Sequence, residues 1–297
     1  MFKKEFDIKV NYSTFTTSEE AYAKIKSGAV KYDLVIVSDY IIEQLSRENL
    51  LEKIDFKKIA NFENIYNRLK SKEKKFSVSY FFGTLGILYN KKFVAKPPSS
   101  WSILWDKSFC DEIFMLDSQR DSITVALKKL NFDLNTRNTE ELKLAKKELI
   151  KQKEIVQAYL CDVVRDKMIL EEGKLAVVYS GDAFICQQEN KNLDFVIPKE
   201  GSNIWSDEIA ILKNSDNLEY AYEFINFLCR EDISFMNTKY TGYTTSNYKT
   251  FLDMPKEIKN NRIYWPSDDV LNRCVNFKYL ENFSKIYDKI WLEVLAH

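Results

Sequence analysis

The side chains that carry most enzymatic and metal chemistry are scarce in this sequence. Its 297 residues include a single histidine, His297, which is the last residue. This placement excludes Ser-His-Asp and Cys-His catalysis, histidine metal sites and proton transfer by imidazole. The five cysteines lie far apart and form no CxxC pair, so neither a disulfide framework nor a zinc site is predicted. Chemistry by carboxylates or lysines remains open.

Carboxylates beside aromatic side chains form a more informative pattern. In IWSDEIAIL, Trp205 and Asp207 alternate along a predicted strand, which places both on one face. Asp39 and Tyr40 follow the apolar run at 32–37, where a strand would give way to a helix. Ligand clefts in α/β proteins lie at such strand ends, so Asp39 and Tyr40 are expected at a cleft mouth.

The elements that must position these residues alternate between strand and helix. The run at 32–37 predicts a buried strand, and the helix after it makes this stretch a parallel α/β unit. Other predicted strands are 8–12, 113–116, 175–179, 194–198 and a strand pair within 76–90; predicted helices are 121–130, 139–157, 183–188, 218–230 and 277–295. This order favours an α/β protein with two lobes and a site between them.

The size and charge of the chain narrow the possible partners. A length of 297 residues fits two domains of ordinary size. With 44 basic and 44 acidic residues, no strong attraction to nucleic acid is expected. No apolar run approaches the roughly 20 residues that span a bilayer, and Met1–Lys9 lacks the apolar core of a signal peptide. Any membrane attachment is therefore expected only through residues outside this sequence.

Six segments follow one another along the chain in a characteristic order. They are YDLVIVSDYIIEQL (32–45), YFFGTLGILYN (80–90), SWSILWD (100–106), YSGDA (179–183), IPKEGSNIWSD (197–207) and GYTTSN (242–247). Together they resemble the spermidine/putrescine-binding proteins of ATP-driven importers, and the likeness runs from about Phe2 to Leu295. The fifth segment, with Pro-Lys-Glu-Gly followed by Trp-x-Asp, is the most specific.

This resemblance implies a fold and a function. The fold is the α/β, two-lobed type II periplasmic-binding-protein fold, with a ligand cleft between the lobes. Lobe 1 would comprise residues 1–86 plus 205–251, and lobe 2 residues 87–204 plus 252–297. Such a protein is not an enzyme and uses no cofactor or metal. It binds a polyamine, spermidine or putrescine, at the periplasmic or extracellular face of the membrane and delivers it to ABC transporter permease subunits.

The resemblance also assigns ligand-binding roles to six positions of this sequence. Aromatic walls for the methylene groups are Tyr40, Tyr179, Trp205 and Tyr243. Carboxylate partners for the ammonium groups are Asp121 and Asp207. Asp39, next to Tyr40, is a further candidate that could supply replacement charge, and Ser38 beside it completes the set of candidate ligand residues. Charge-assisted hydrogen bonds and cation–π attraction of roughly 0.5–2 kcal/mol per ring suit these roles. Simpler explanations are half-buried packing for each tyrosine, helix capping for Asp39 and a helix-dipole acid for Asp121.

Two positions depart from the pattern of the family. Ser118 stands where many relatives carry a second acid, with Asp117 one place earlier. Tyr179 stands where relatives often have tryptophan. Arg120 precedes Asp121, as in the family motif, and is expected to orient that acid. The choice among putrescine, spermidine and spermine stays open.

The start of the sequence is expected to lack part of the family's fold. Relatives begin with a strand and an Asn-Trp-x-x-Tyr-like segment that contributes aromatic walls. Here Phe2–Phe6 resembles the helix that follows that strand. A truncated sequence, the boundary of a permease–binding-protein fusion and a natural variant are three explanations.

Other functions compete with polyamine delivery. The same fold could bind another small cation, an anion, an amino acid or a ferric ion. A ferric site with adjacent tyrosines is disfavoured because Ile41 follows Tyr40, and an anion is disfavoured because the matched cleft residues are acidic. Asp121 and Asp207 could instead form the acid/base pair of a glycoside hydrolase. A degenerate domain that only contacts a partner protein is the last alternative.

Overall fold

The computed structural model describes residues 1–15, 17–70 and 75–297. In these ranges the strands are β1 (Leu34–Ser38), β2 (Ser77–Asn90), β3 (Ile113–Leu116), β4 (Val156–Leu160), β5 (Leu175–Tyr179), β6 (Leu193–Val196), β7 (Ile204–Ile211) and β8 (Thr244–Thr245). The helices are α1 (Phe2–Phe6), α2 (Ser18–Ser27), α3 (Asp39–Arg47), α4 (Gln119–Lys129), α5 (Thr139–Lys153), α6 (Val164–Ile169), α7 (Ser180–Glu189), α8 (Leu218–Leu228), α9 (Glu231–Thr241), α10 (Tyr248–Asp253), α11 (Lys256–Lys259), α12 (Asp268–Leu271) and α13 (Ser284–Ala296). The predicted α/β class is confirmed.

The chain divides into two compact units. Unit 1 comprises Met1–Phe82 and Trp205–Lys259, and unit 2 comprises Gly83–Ile204 and Asn260–His297. The chain passes from unit 1 to unit 2 within β2 and returns to unit 1 at the start of β7. The predicted lobe limits at residues 86 and 251 stay a prediction.

Unit 1 is built on a sheet with the strand order β1-β7-β2-β8. The pair β1–β7 is antiparallel, so Leu34 lies opposite Ile211 and Ser38 opposite Asp207. Helices cover both faces. Ile41 and Leu45 of α3 pack with Val35, Val37 and Ala210, whereas Ala221 and Ile225 of α8 pack with Ile209 and Ile211.

The pairing of β1 differs from the prediction of a parallel unit. β1 is antiparallel to β7, and parallel pairing is found in unit 2, where β3 pairs with β4 and β5. The apolar run at 32–37 correctly indicated cover on both faces, because Val35 and Val37 contact one core and Leu34 and Ile36 the other. An apolar run shows that both faces are covered, but it does not give strand direction.

Unit 2 is built on the second half of β2. This half pairs antiparallel with β5 and β6, and parallel pairing then adds β3 and β4. Helices α4, α5 and α13 pack together through Leu127, Leu149 and Trp291. Fully buried Trp101 packs in the same core as Val125 of α4 and donates its indole N–H to the carbonyl oxygen of Gly201 at 2.9 Å.

The prediction of a strand at residues 8–12 is wrong. Residues 8–12 belong to no strand, and 44% of Val10 and 84% of Tyr12 are exposed. Their alternation of apolar and polar residues is that of a half-buried strand. Alternation describes the two faces of a strand, but a strand forms only where a neighbour supplies hydrogen bonds.

Three further predictions of element boundaries are wrong. The predicted strand pair within 76–90 is the single 14-residue strand β2. Gly86 allows close packing there, because an added Cβ would lie 2.3 Å from Cζ of Phe195. The predicted helix 139–157 ends at Lys153, and the chain then enters β4, a strand that was not predicted. The predicted helix 277–295 begins only at Ser284. In the described ranges, no helix is both long and apolar enough to cross a membrane.

Candidate functional site

Strand β7 places Trp205 and Asp207 side by side on one face of the unit 1 sheet. Both side chains are half-buried, whereas the alternate residues Ser206 and Glu208 are buried. This is the alternation that the sequence predicted for IWSDEIAIL. Asp207 lies directly opposite Ser38, the last residue of β1, so two predicted ligand residues are neighbours across the β1–β7 pair.

An aromatic pair accompanies Asp207. The rings of Trp205 and Tyr243 meet edge to face, with centroids 5.3 Å apart and planes at 86°. Tyr243 is brought there by Gly242, which ends α9 in the left-handed conformation at φ 76° and turns the chain into β8. The centroid of Phe81 lies 6.4 Å from that of Tyr243. Trp205 and Tyr243 are predicted ligand residues, whereas the contact of Phe81 with Tyr243 was not predicted, because its place in an apolar strand gives no sign of it.

The Asp207 carboxyl has an unusual affinity for protons. Burial, and to a smaller extent the neighbouring Glu208 carboxylate, together raise the pKa of Asp207 to about 7. Burial also raises the pKa of Tyr80, and the charge of Asp207 contributes to that shift, so Tyr80 lies within its electrostatic reach. A ligand with a positive charge would stabilise the ionised form of a carboxyl whose pKa is raised in this way.

Asp39 and Tyr40 open helix α3 after β1, as predicted. The Tyr40 phenol donates to Oε1 of Glu19 in α2 at 2.7 Å, and the Tyr40 backbone N–H donates to Oδ1 of Asp39 at 2.8 Å. The hydroxyls of Ser18 and Ser38 lie 3.2 Å apart. Asp39 is therefore an acid of the first helical turn rather than the N-cap, which is Ser38, and Tyr40 is held against α2.

In unit 2 the structure brings together two predicted site residues. Asp121 lies in the first turn of α4, is only 5% exposed, and accepts two hydrogen bonds on Oδ2. Tyr179, the last residue of β5, donates its phenol O–H to this atom at 2.7 Å, and Ser118 donates its hydroxyl at 2.6 Å. Ser118, for which the resemblance implied a departure from the family pattern, is thus a hydrogen-bond donor to Asp121.

The guanidinium of Arg120 packs against the C-terminal segment of unit 2. It lies over the ring of Phe277 at 4.4 Å and over that of Tyr287 at 5.1 Å. It also donates to Oδ1 of Asn135 at 3.1 Å. These contacts anchor Arg120 to residues far along the chain, and its expected orienting role toward Asp121 stays a prediction.

The chemistry open to these side chains is the non-covalent binding of organic cations. Each unit presents a carboxylate close to an aromatic ring, Asp207 near Trp205 in unit 1 and Asp121 bonded to Tyr179 in unit 2. Ammonium groups bind carboxylates through charge-assisted hydrogen bonds, and ring faces attract both cations and methylene groups. Among residues 1–15, 17–70 and 75–297, no group of three or more His, Cys, Asp or Glu side chains is placed to hold a metal ion.

These features define a solute-binding protein built on two α/β units. The chain belongs to the family described as bacterial extracellular solute-binding protein, whose profile matches residues 30–274. Members of this family bind solutes rather than transform them, so the expectation that the chain is not an enzyme is confirmed.

Individual relatives match almost the whole length of this chain. The spermidine/putrescine-binding periplasmic protein of Salmonella typhimurium is 32% identical, in a match that covers 99% of this chain and 86% of that protein. A Listeria monocytogenes structure, provisionally described as a spermidine/putrescine ABC transporter, superimposes with a TM-score of 0.93 at 34% identity, over 99% of this chain and 93% of that one. The spermidine/putrescine ABC transporter substrate-binding protein of Streptococcus pneumoniae gives a TM-score of 0.86 at 32% identity, over 99% and 93% of the two chains. The predicted family and the type II periplasmic-binding-protein fold are confirmed.

Proposed function

We propose that this chain binds a polyamine of the spermidine/putrescine type outside the cytoplasm and delivers it to the permease of an ABC transporter. The observation that carries the proposal is the pairing of an acid with aromatic rings in each unit, Asp207 with Trp205 and Tyr243, and Asp121 with Tyr179. Relatives that match 99% of the chain are named for spermidine and putrescine binding. The periplasmic location, the permease partner and attachment through residues outside this sequence belong to the same proposal.

The two kinds of side chain suit the two parts of a polyamine. Such a molecule is a chain of methylene groups that carries ammonium groups at fixed intervals. In unit 1, Asp207 would accept hydrogen bonds from one ammonium group, and the faces of Trp205 and Tyr243 would cover the adjoining methylene groups. Ser38, opposite Asp207 in the sheet, offers a further hydroxyl.

The acid of unit 2 would bind an ammonium group in a different way. Oδ2 of Asp121 already accepts from Tyr179 and Ser118, and these neutral donors hold the carboxylate in one orientation. A fixed carboxylate loses less conformational entropy when it binds, so its hydrogen bonds contribute more to affinity. Loss of the Asp121 carboxylate should therefore weaken polyamine binding.

Calorimetric titration of the purified chain with putrescine, spermidine and spermine tests the proposal. γ-Aminobutyrate, which carries one ammonium group and one carboxylate, is the control ligand. We expect micromolar binding of at least one polyamine and none of the control. At a hundred times its Kd the bound polyamine should stabilise the fold by about 2.7 kcal/mol, which raises the melting temperature by roughly 5 °C. Binding of the control but of no polyamine would overturn the proposal.

A further inference from the structure

A second carboxylate of unit 1 lies inside the sheet, directly after Asp207. Glu208 is 1% exposed and accepts three serine hydroxyl hydrogen bonds. Ser79 and Ser206 donate to Oε1, each at 2.6 Å, and Ser77 donates to Oε2 at 2.8 Å. We call Ser77, Ser79, Ser206 and Glu208 the serine–glutamate cluster. All four residues are buried, and they come from the neighbouring strands β2 and β7.

The hydrogen bonds of this cluster stabilise Glu208 as a charged carboxylate. Serine hydroxyls are neutral, so they stabilise a carboxylate without cancelling its charge. A buried charge costs free energy, and a well-packed apolar side chain at the same place would often make the fold as stable or more stable. Stability alone therefore gives no reason for a glutamate at this position.

The position of Glu208 links its charge to the proposed ligand residues. It follows Asp207 in β7 and points to the opposite face of the strand. Its negative charge is one of the two causes that raise the pKa of Asp207. The two carboxylates therefore interact through the sheet, and a cation beside Asp207 would feel both.

We propose that Glu208 is a specificity-determining positioning residue, a buried fixed charge that makes the site of unit 1 select ligands with several positive charges. This inference rests on the proposed function. An ammonium group in contact with Asp207 would lie on the order of 9 Å from Glu208, since the two acids are neighbours on opposite faces of one strand. At that distance, in an environment with an effective dielectric constant of about 20, one ammonium group gains roughly five- to tenfold in affinity after salt screening. Each further ammonium group adds a smaller factor.

Replacement of Glu208 by glutamine tests this role, because the amide keeps the size and oxygen of the side chain but removes the charge. Glu219→Gln is the matched control: Glu219 lies on α8 of the same unit, is 76% exposed in its side chain, and pairs with Lys58. Calorimetric titrations with putrescine and spermidine at pH 8, where Asp207 is mostly ionised, then measure the two affinities. Glu208→Ser, which leaves a smaller hydroxyl in the cluster, serves if the glutamine variant does not fold.

The expected result is a loss of affinity that grows with ligand charge. Glu208→Gln should weaken putrescine binding about fivefold and spermidine binding more than that, while Glu219→Gln leaves both affinities within twofold. Equal affinities of the Glu208 variant and the wild type would overturn the inference. An equal loss for both ligands together with a lower melting temperature would also overturn it, because a purely structural role has that signature. Failure of the wild type to bind either polyamine is a different result, since it overturns the proposed function.

Discussion

The phenol of Tyr179 donates a hydrogen bond to Oδ2 of Asp121 at 2.7 Å. The two residues are 58 positions apart in the sequence, one at the end of β5 and the other in the first turn of α4. The proposed aromatic wall and the proposed acid of unit 2 are thus linked by a strong, charge-assisted contact.

Replacement of Tyr179 by phenylalanine should weaken both the fold and polyamine binding. The variant keeps the ring but leaves a buried carboxylate with one donor fewer, which should cost about 1–3 kcal/mol of unfolding free energy. Polyamine affinity should fall by roughly tenfold or less, because the carboxylate remains but is less fixed. Urea unfolding and calorimetric titration measure the two effects.

Tyr159 of β4 provides the matched control. Its phenol is buried in unit 2 and has no hydrogen-bond partner among the described residues, and burial raises the pKa of Tyr159 to about 12. Tyr159→Phe should therefore leave stability unchanged or slightly higher. If both tyrosine variants lose the same free energy, the Tyr179–Asp121 hydrogen bond is not the cause of the loss.

The elements that carry the site were largely predictable from local patterns. Alternation in β7 predicted that Trp205 and Asp207 share a face, and the apolar run at 32–37 predicted that Asp39 and Tyr40 follow a buried strand. Such patterns arise from contacts with immediate neighbours and from burial of one face, so they are visible in a short window. The assignment of those residues to a ligand came from resemblance to a family and remains a prediction.

Contacts between distant segments were not predictable. Ser77 donates to Glu208 across 131 positions, and Trp205 meets Tyr243 only because the chain turns at Gly242. A period of two shows which face a side chain occupies but does not identify its partner on the next strand. The same limit explains the wrong prediction of a strand at 8–12. Apolar and polar residues alternate in that segment, but no neighbouring strand pairs with it.

Replacement of Asp207 by asparagine should abolish most polyamine binding. The amide loses the charge that holds an ammonium group, which is worth about 2–3 kcal/mol, or roughly a hundredfold in Kd. Asp216→Asn is the control, because Asp216 lies in the same unit, pairs with Lys31 and is 75% exposed in its side chain. Calorimetry on both variants should show the loss for Asp207 alone. Retention of wild-type affinity without the Asp207 charge would remove this residue from the site.

Loss of the Trp205 ring should weaken binding through a different contact. Trp205→Ala removes both the proposed wall for methylene groups and the edge-to-face contact with Tyr243. We expect a loss of affinity of about 1–2 kcal/mol, whereas Trp205→Phe should recover part of it because a ring face is restored. Similar affinities of the two variants would show that the ring does not contact the ligand.

Gly86 should tolerate no side chain. A Cβ at this position would lie 2.3 Å from Cζ of Phe195 and 2.7 Å from the carbonyl oxygen of Val196. Gly86→Ala should therefore lower the unfolding free energy by about 1–3 kcal/mol, measured by urea denaturation.

Gly28→Ala separates this clash from backbone strain. Gly28 has φ +65° but no atom within 4 Å of an added Cβ, so its replacement should cost only about 1 kcal/mol. Truncation of Phe195 in the Gly86→Ala background should recover part of the loss, since the contact with the backbone oxygen would remain. Equal losses at both glycines would show that crowding at Gly86 is relieved by small movements of β6.

The raised pKa of Asp207 should make stability and binding depend on pH. Its carboxyl titrates at about 7 in the folded chain, against about 3.9 when unfolded, so the folded state binds more protons between these values. Stability from this group therefore falls as the pH rises from 4 to 7 and stays low above 7. Asp207→Asn should match the wild type near pH 4 and exceed its unfolding free energy at pH 8 by up to about 4 kcal/mol.

A bound polyamine should lower the pKa of Asp207 again, because an ammonium group lowers the pKa of the carboxyl that it contacts. At pH 7 about half of the Asp207 side chains carry a proton before binding, so binding should release about half a proton per ligand. Titrations in buffers with different enthalpies of ionisation measure that number directly. Release should vanish in Asp207→Asn and decrease toward zero in the wild type at pH 8.5. Proton release that is the same in both chains would assign the titrating group to another residue.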